Sequence, residues 1–459
     1  MVRRMPIPQV AEPLLSDIRQ SHVFTKPTFD RFVVLMCGLI VTAGRRTVSR
    51  ALKIMQPRLS GHWSDYHRLY SWAHFSIWAL AAVMVRQVIA LLPAHEPLVL
   101  LADDTVVAKD GKAVWAKSAH RDPVRSSRAK RHTKFGHKWL VLCVLARLPA
   151  IARCWALPLL CGLCLSSKVA KQVKARPKTP AQLTRQLLMR LMRWLPTRSF
   201  ILIGDYQVAT HELCHFATRH PRRLTVIGRL RGDANLYAPP KDPSGHRRRG
   251  RKARKGAKLP SPAQQVKKLK AVSQELDWYG GRRRTVQWVS QTALWYDNRG
   301  GRIASIRWVC VLGDPRQAQE NAYFYSSDPQ MTPQRIIELY TSRWNIEVTF
   351  EETRALLGLE STRHWCRQSV LRVVPLMLGL FTAVALLWSR LPASKRRRRD
   401  SVTPCYHKQA PTFADVLFTV RRELWQQSLL MRHRGKQRCL DILPRPLRQT
   451  LLWHLAAAA

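Results

Sequence analysis

Apolar residues recur at helical spacing over Phe29–Val41, stop at Ala43-Gly44, and resume after Thr47 in the segment TVSRALKIM. Further helices are expected around Tyr66–Trp78 and Ala81–Leu92. At Pro97 the pattern changes. Pro97–Ala102 is a short continuous apolar run bounded by Pro and Asp, which suits a buried strand, and Lys138–Ala146 and Ser199–Ile203 read the same way. Between the last two lies Pro180–Trp194, with Leu183, Leu187, Leu188 and Leu191 on one helical face. Strand, strand, helix, strand is the rhythm of a mixed α/β sheet. Arg284–Ser290 and Arg302–Leu312 follow as strands. Pro333 opens a long helix of about two dozen residues, and Phe413–Trp425 is a further helix before an alanine-rich tail.

Val373–Trp388 is uncharged over 16 residues. That is short of the roughly 20 a membrane-spanning helix needs, and Pro375 and Gly379 interrupt it. It is expected to be a core helix. The N-terminal residues MVRRMPIPQVAEPLLSD lack a continuous apolar stretch and do not read as a signal peptide.

Composition changes the picture through charge. The 459 residues carry 78 Lys plus Arg against 28 Asp plus Glu, a formal net charge of +50. Hydrophobic residues make up 46% and charged residues 23%, an ordinary globular balance, so the excess comes from a shortage of acids. Gross disorder is excluded, and no repeat of 20–50 residues recurs. A surplus of this size repels itself and calls for a polyanion, nucleic acid before an anionic membrane. Lys241–Lys258 holds nine of the basic residues; Arg248, Arg249, Arg251 and Lys252 at its centre are expected to grip phosphates. Lys117–Lys138 and the linker Lys395–Arg399 are further basic clusters. Arg45, Arg46 and Arg50 beside Gly44 are compatible with a helix-turn-helix, or with a helical hairpin bearing a basic face. The ten Cys have no framework spacing and read as reduced thiols of a cytosolic protein.

With acids scarce, those in apolar settings stand out. Asp103-Asp104-Thr105 follows one expected strand and Asp205 follows another. Each suits a turn or helix cap, but ligands at the ends of adjacent strands converge on one sheet edge. In the helix Gln334–Leu357, at roughly 100° per residue, Tyr340, Arg343, Glu347 and Arg354 share a stripe about 60° wide, with Leu339, Ile346, Phe350 and Leu357 beside it. Glu351 lies near the same stripe, so spacing does not choose between it and Glu347. An i,i+4 ion pair of Arg343 and Glu347 on a solvated face is the plain alternative. Facing carboxylates suit hard divalent cations such as Mg²⁺, and two such ions can drive in-line displacement at phosphorus.

Asp-x-Thr after a strand, a lone Asp after a later strand, and Tyr340-x2-Arg343-x3-Glu347-x6-Arg354 together resemble the DDE transposases of bacterial insertion sequences. GHKWLVL around His137, RLRGDANLY around Asp233, the basic loop and TFADVLFTVRRELW resemble the same family, so the likeness covers most of the chain. The resemblance implies a ribonuclease H-like catalytic domain over 96–390, with an insertion at about 233–302. A helical, DNA-end-binding domain over 1–95 precedes it, and a basic linker and helical tail over 391–459 follow. It implies a triad of Asp103, Asp205 and Glu347 holding two Mg²⁺ or Mn²⁺ ions, with Asp103 in the place of the first acid rather than Asp104. Tyr340, Arg343 and Arg354 would bind DNA or position the glutamate. The implied partners are double-stranded transposon ends and target DNA, with the protein a homodimer, off the membrane, in the bacterial cytoplasm at the nucleoid.

Two motifs compete. His211-Glu-Leu-Cys-His215 fits the zinc-protease helix, yet no third ligand follows in register. Cys161-Gly-Leu-Cys164 lacks the second pair a zinc site needs. The other alternative is a basic nucleic-acid-binding protein without catalysis.

Overall fold

The computed structural model describes residues 9–122, 126–127, 129–130, 132–240, 253–298, 300–313, 320–396, 410–429 and 444–457. The helices α1 (Glu12–Gln20), α2 (Lys26–Val41), α3 (Val48–Ile54), α4 (Trp63–Ser71) and α5 (Ile77–Ile89) come first. Local capping sets their starts: Thr47 and Ser76 each accept a backbone N–H of the turn they open, from Arg50 and Ala79. The Ser76 cap is why α5 begins before the expected Ala81. The hairpin at Gly44 does not present all its arginines. Arg46 is buried, its backbone N–H bonded to Ser361 Oγ, and α3 is only seven residues long with Ala51 and Leu52 buried. Arg45 and Arg50 remain exposed beside it.

Next come β1 (Leu98–Ala108), β2 (Ser118–Arg121), β3 (Thr133–Ala146), β4 (Trp155–Cys164), α6 (Ser167–Gln172), α7 (Pro180–Trp194), β5 (Phe200–Gly204), α8 (His211–Thr218) and β6 (Leu224–Arg229). Five of these strands lie in the order β4-β3-β1-β5-β6. β3 is antiparallel to β1 and to β4, while β5 runs parallel to both β1 and β6. That order and those directions are the ribonuclease H arrangement. The strand β4 has no counterpart in the sequence expectation. Its residues are mostly buried, so it shows no apolar–polar alternation to betray it.

The sheet does not stop at β6. It is extended by β7 (Leu236–Tyr237), then, past α9 (Pro262–Val266), by β8 (Val272–Trp278), β9 (Arg282–Asp297), β10 (Arg302–Val311) and β11 (Ala322–Ser326). β11 pairs with β6, so the segment after β6 folds back as an antiparallel wing of one 11-stranded sheet. The wing runs to Ser326, beyond the expected limit near 302. The chain then enters α10 (Pro333–Thr341), α11 (Trp344–Leu357), α12 (Arg367–Arg390), α13 (Phe413–Leu429) and α14 (Arg445–Ala457).

α12 is long and apolar enough to cross a bilayer, but 72% of its most apolar window is buried inside the protein. It packs on β4, α5, α4 and α13, and Thr382 donates to the Pro158 carbonyl at 2.7 Å. It is the expected core helix. The helices of 1–95 are part of the same core, since α13 lies against α2 with Arg421 Nε donating to Ile40 O at 2.7 Å.

Candidate active site

Strand β1 does not end at Ala102. It continues through Asp103-Asp104-Thr105 to Ala108, held by its ladder with β3. Alternation along a strand then sends Asp103 and Thr105 to one face and Asp104 to the other. Asp104 pairs with Lys138 Nζ at 2.9 Å, and Asp103 with Arg343 Nη1 at 2.5 Å. The face that carries Asp103 is the one covered by α11, which rests on β1 and β4 and is tied down by Thr349 donating to Ala156 O at 2.8 Å. The two aspartates thus face opposite sides of the sheet, Asp103 on the side of α11.

Asp205 sits where β5 ends. The strand-end glycines Gly204 and Gly228 are register partners, and a Cβ on either would lie within 2.5 Å of Val208 or Ala209. Only glycines let the turn 205–210 fold so tightly over the sheet edge. Asp205 Oδ1 accepts the N–H groups of Gln207 (3.0 Å) and Val208 (3.1 Å), so it does cap this turn. Its charge adds to the rise of the Asp103 carboxyl and of the Tyr340 hydroxyl, in both of which burial is the larger cause.

The expected single helix over Gln334–Leu357 is broken. α10 ends at Thr341 and α11 begins at Trp344. Side chains compete with the backbone at the joint: Thr341 Oγ1 donates to Glu338 O and Ser342 Oγ to Leu339 O. Arg343, at the bend, reaches across to Asp103 with one nitrogen and to Glu347 with another. Glu347 is therefore joined to Asp103, while Glu351 points to solvent. Tyr340 does not share the open stripe. It is buried, with its ring 4.3 Å from Phe324, and burial pushes its hydroxyl up to about 12. It supports the site from behind. Arg354 lies one turn from the end of α11, where Gly358 closes the helix in the left-handed region at φ 66°. It donates to Thr105 Oγ1, and its Nε is 3.6 Å from Glu360.

Burial raises the Asp103 carboxyl, Arg343 pulls it back, and Asp205 adds to the rise, leaving it at about 7. Burial works against the Arg343 charge as well, but Asp103 and Glu347 outweigh it and hold the guanidinium above its usual value. Among the described residues no three His, Cys, Asp or Glu side chains stand as a ready-made metal cluster. What does stand between Asp103 and Glu347 is the Arg343 cation.

Some neighbours gave no signal in sequence. Glu360 Oε1 accepts Ala108 N–H at 3.1 Å and Lys134 Nζ at 3.0 Å, and so joins the edge of β1 to Arg354. Tyr279, at the tip between β8 and β9, lies close enough to feel Arg229, Arg343 and Glu347. Arg229 ends β6 with its guanidinium 5.6 Å from the Tyr206 ring centroid, and no carboxylate pairs with it among the described residues. Arg248, Arg249, Arg251 and Lys252 lie outside the described residues. Where the chain is described again, Lys255 sits between Tyr237 and Tyr296, 3.8 and 3.5 Å from their centroids.

The competing motifs are occupied otherwise. His211 Nε2 bonds to Trp295 O and His215 Nδ1 to Ile303 O, which clamps α8 onto β9 and β10, while Glu212 pairs with Arg185. Cys161 and Cys164 sit three apart on β4 and so face opposite sides of the strand; both are free thiols, and burial pushes them up to about 12 and about 11.

The family described as DDE superfamily endonuclease matches residues 21–294. No curated protein matches the chain. Among solved structures, the chain is similar to the transposase in "Cryo-EM structure of piggyBac transposase synaptic complex with hairpin DNA (SNHP)". Identity is 12%, over 98% of this chain and 81% of that one, and the TM-score is 0.42, too distant to bear on function.

Proposed function

Because the chain belongs to the DDE superfamily endonucleases, we propose that it is a DNA transposase that cuts at the ends of a mobile element and joins the freed 3′-OH to target DNA. One observation carries this reading: Arg343 ties Asp103 of β1 to Glu347 of α11, beside the charge of Asp205. Two acids from distant parts of the sequence thus meet on one arginine, and Asp205 follows the strand β5 that pairs with β1.

The donor set is all carboxylate oxygen, and a cation already bridges two of its members, so it fits Mg²⁺ or Mn²⁺. Asp103, Asp205 and Glu347 would hold two such ions, which when bound help the attacking oxygen and the leaving oxygen alike. In the first step water adds to the phosphorus at the element end and the 3′ oxygen leaves as a 3′-OH. In the second, that 3′-OH attacks a target phosphodiester and displaces its 3′ oxygen. No side chain is consumed in either step.

The other residues position the DNA. Arg354, fixed by Thr105 and Glu360, and Arg229, over Tyr206, offer charge to the phosphates flanking the scissile bond. The basic clusters and the helices before Pro97 would hold the rest of the duplex, in a homodimer that pairs two ends. The test is Glu347→Gln: DNA binding should persist and Mg²⁺-dependent nicking should vanish. Nicking at the normal rate would remove Glu347 from the site.

A further inference from the structure

Arg343 is placed unlike an ordinary phosphate-binding arginine. Its side chain is only 18% exposed, and both ends of its fork are spent on carboxylates, Asp103 (16% exposed) and Glu347 (36% exposed). Two of the guanidinium's five N–H donors are held by the acids, so a phosphate would have to compete with both for its Nη1–Nη2 edge. At the same time it fills the space between two carboxylates that would otherwise repel each other across a partly dry gap.

From this geometry we infer that Arg343 is a resident counter-ion that a divalent cation must displace, and that its displacement couples metal binding to DNA binding. The inference rests on the reading of Asp103 and Glu347 as cation ligands. Without metal, the guanidinium neutralises the pair and keeps β1 and α11 together. A divalent ion cannot share the same oxygens at bonding distance with it, so the ion enters only as Arg343 leaves. The arginine sits at the joint between α10 and α11 with helical backbone angles, φ −55° and ψ −29°, and only its side-chain torsions hold it on the two acids. It can therefore swing without unwinding either helix. Once free, its fork is available to a phosphate at the same site, where planar bidentate pairing suits it. DNA that captures the arginine opens the carboxylates to metal, and metal that expels it arms the arginine for DNA. By linkage the two effects are equal in size.

The test is Mn²⁺ uptake by the full-length protein, read from the loss of the free-ion paramagnetic resonance signal, with and without a short DNA duplex. Arg343→Met should bind Mn²⁺ about tenfold or more tightly than the wild type in the absence of DNA, within the usual range of a coupling between sites. Arg343→Lys, which keeps the charge but loses the fork, should fall between them. The duplex should tighten Mn²⁺ binding in the wild type and change it little in Arg343→Met. Adding Glu347→Gln to Arg343→Met should erase the gain. Circular dichroism confirms that each variant is folded, and Arg343→Lys decides the matter if Arg343→Met is not. If Arg343→Met binds Mn²⁺ no better than the wild type while Asp103→Asn weakens uptake, the ligand reading stands and the counter-ion inference falls. If no form takes up Mn²⁺ with or without DNA, both fall.

Discussion

The guanidinium of Arg354 donates to Oγ1 of Thr105, two positions beyond Asp103 on the same face of β1. Together with the Thr349 bond to Ala156 O and the Arg343 bridge, this bond holds α11 in register against the sheet. Glu360 completes the link by holding Arg354, Lys134 and the Ala108 N–H at once. A variant Glu360→Gln keeps the shape but loses the charge. We expect it to lower stability by about 1 kcal/mol, discounted for its partial exposure. Strand cleavage should fall further than DNA binding. Urea unfolding and a nicking assay on the same preparation check this, and an unchanged nicking rate would leave Glu360 a purely structural residue.

Alternation along β1 separates two adjacent aspartates. Asp103→Asn is expected to reduce nicking by roughly a thousandfold or more, as removal of a group that acts in the transition state does. Asp104→Asn should leave the rate near normal and cost only the half-buried pair with Lys138. Equal losses in the two variants, measured on one substrate, would contradict the strand register.

His364 gives the fold a pH dependence. It is 5% exposed, 6.4 Å from His137 ring to ring, and burial with the Lys109 charge drives it down to about 3. The folded protein keeps it neutral where the unfolded chain, at its ordinary value near 6.5, takes up a proton. Stability is therefore full above pH 6.5 and is lost as the pH falls toward 3, at about 1.4 kcal/mol per pH unit from this residue. The buried His137 acts in the same direction. Urea unfolding at pH 7.5 and 5 should show the loss in the wild type and a smaller one in His364→Phe; identical slopes would contradict the assignment.

Much of the site can be read from the chain, because its acids are few and each marks a distinctive place. Asp205 follows an apolar run closed by Gly204, and Glu347 stands at a fixed spacing from Arg343. The bend between α10 and α11 is invisible to periodicity, since no Pro or Gly marks it. It arises from Thr341 and Ser342 bonding back to the helix and from Arg343 reaching across to β1. The burial of Tyr340 follows from the same bend. β4 is hidden because both its faces are covered, and the length of β1 because Asp103 and Thr105 interrupt an apolar pattern while facing inward. Glu360 has no signal at all: its role exists only because residues 108, 134 and 354 meet in space.

α12 carries one more consequence, and it concerns the nascent chain. Twenty-four residues of this helix are covered from both directions in sequence, by α4, α5 and β4 made before it and by α13 made after it. Translation at about 5–20 residues per second leaves its outer face bare for several seconds, until Phe413–Leu429 has emerged from the ribosome. During that interval the α13-facing side of an apolar helix is uncovered in a strongly cationic chain. Until α13 arrives, that face is the part of the emerging chain most open to aggregation or to capture by a chaperone.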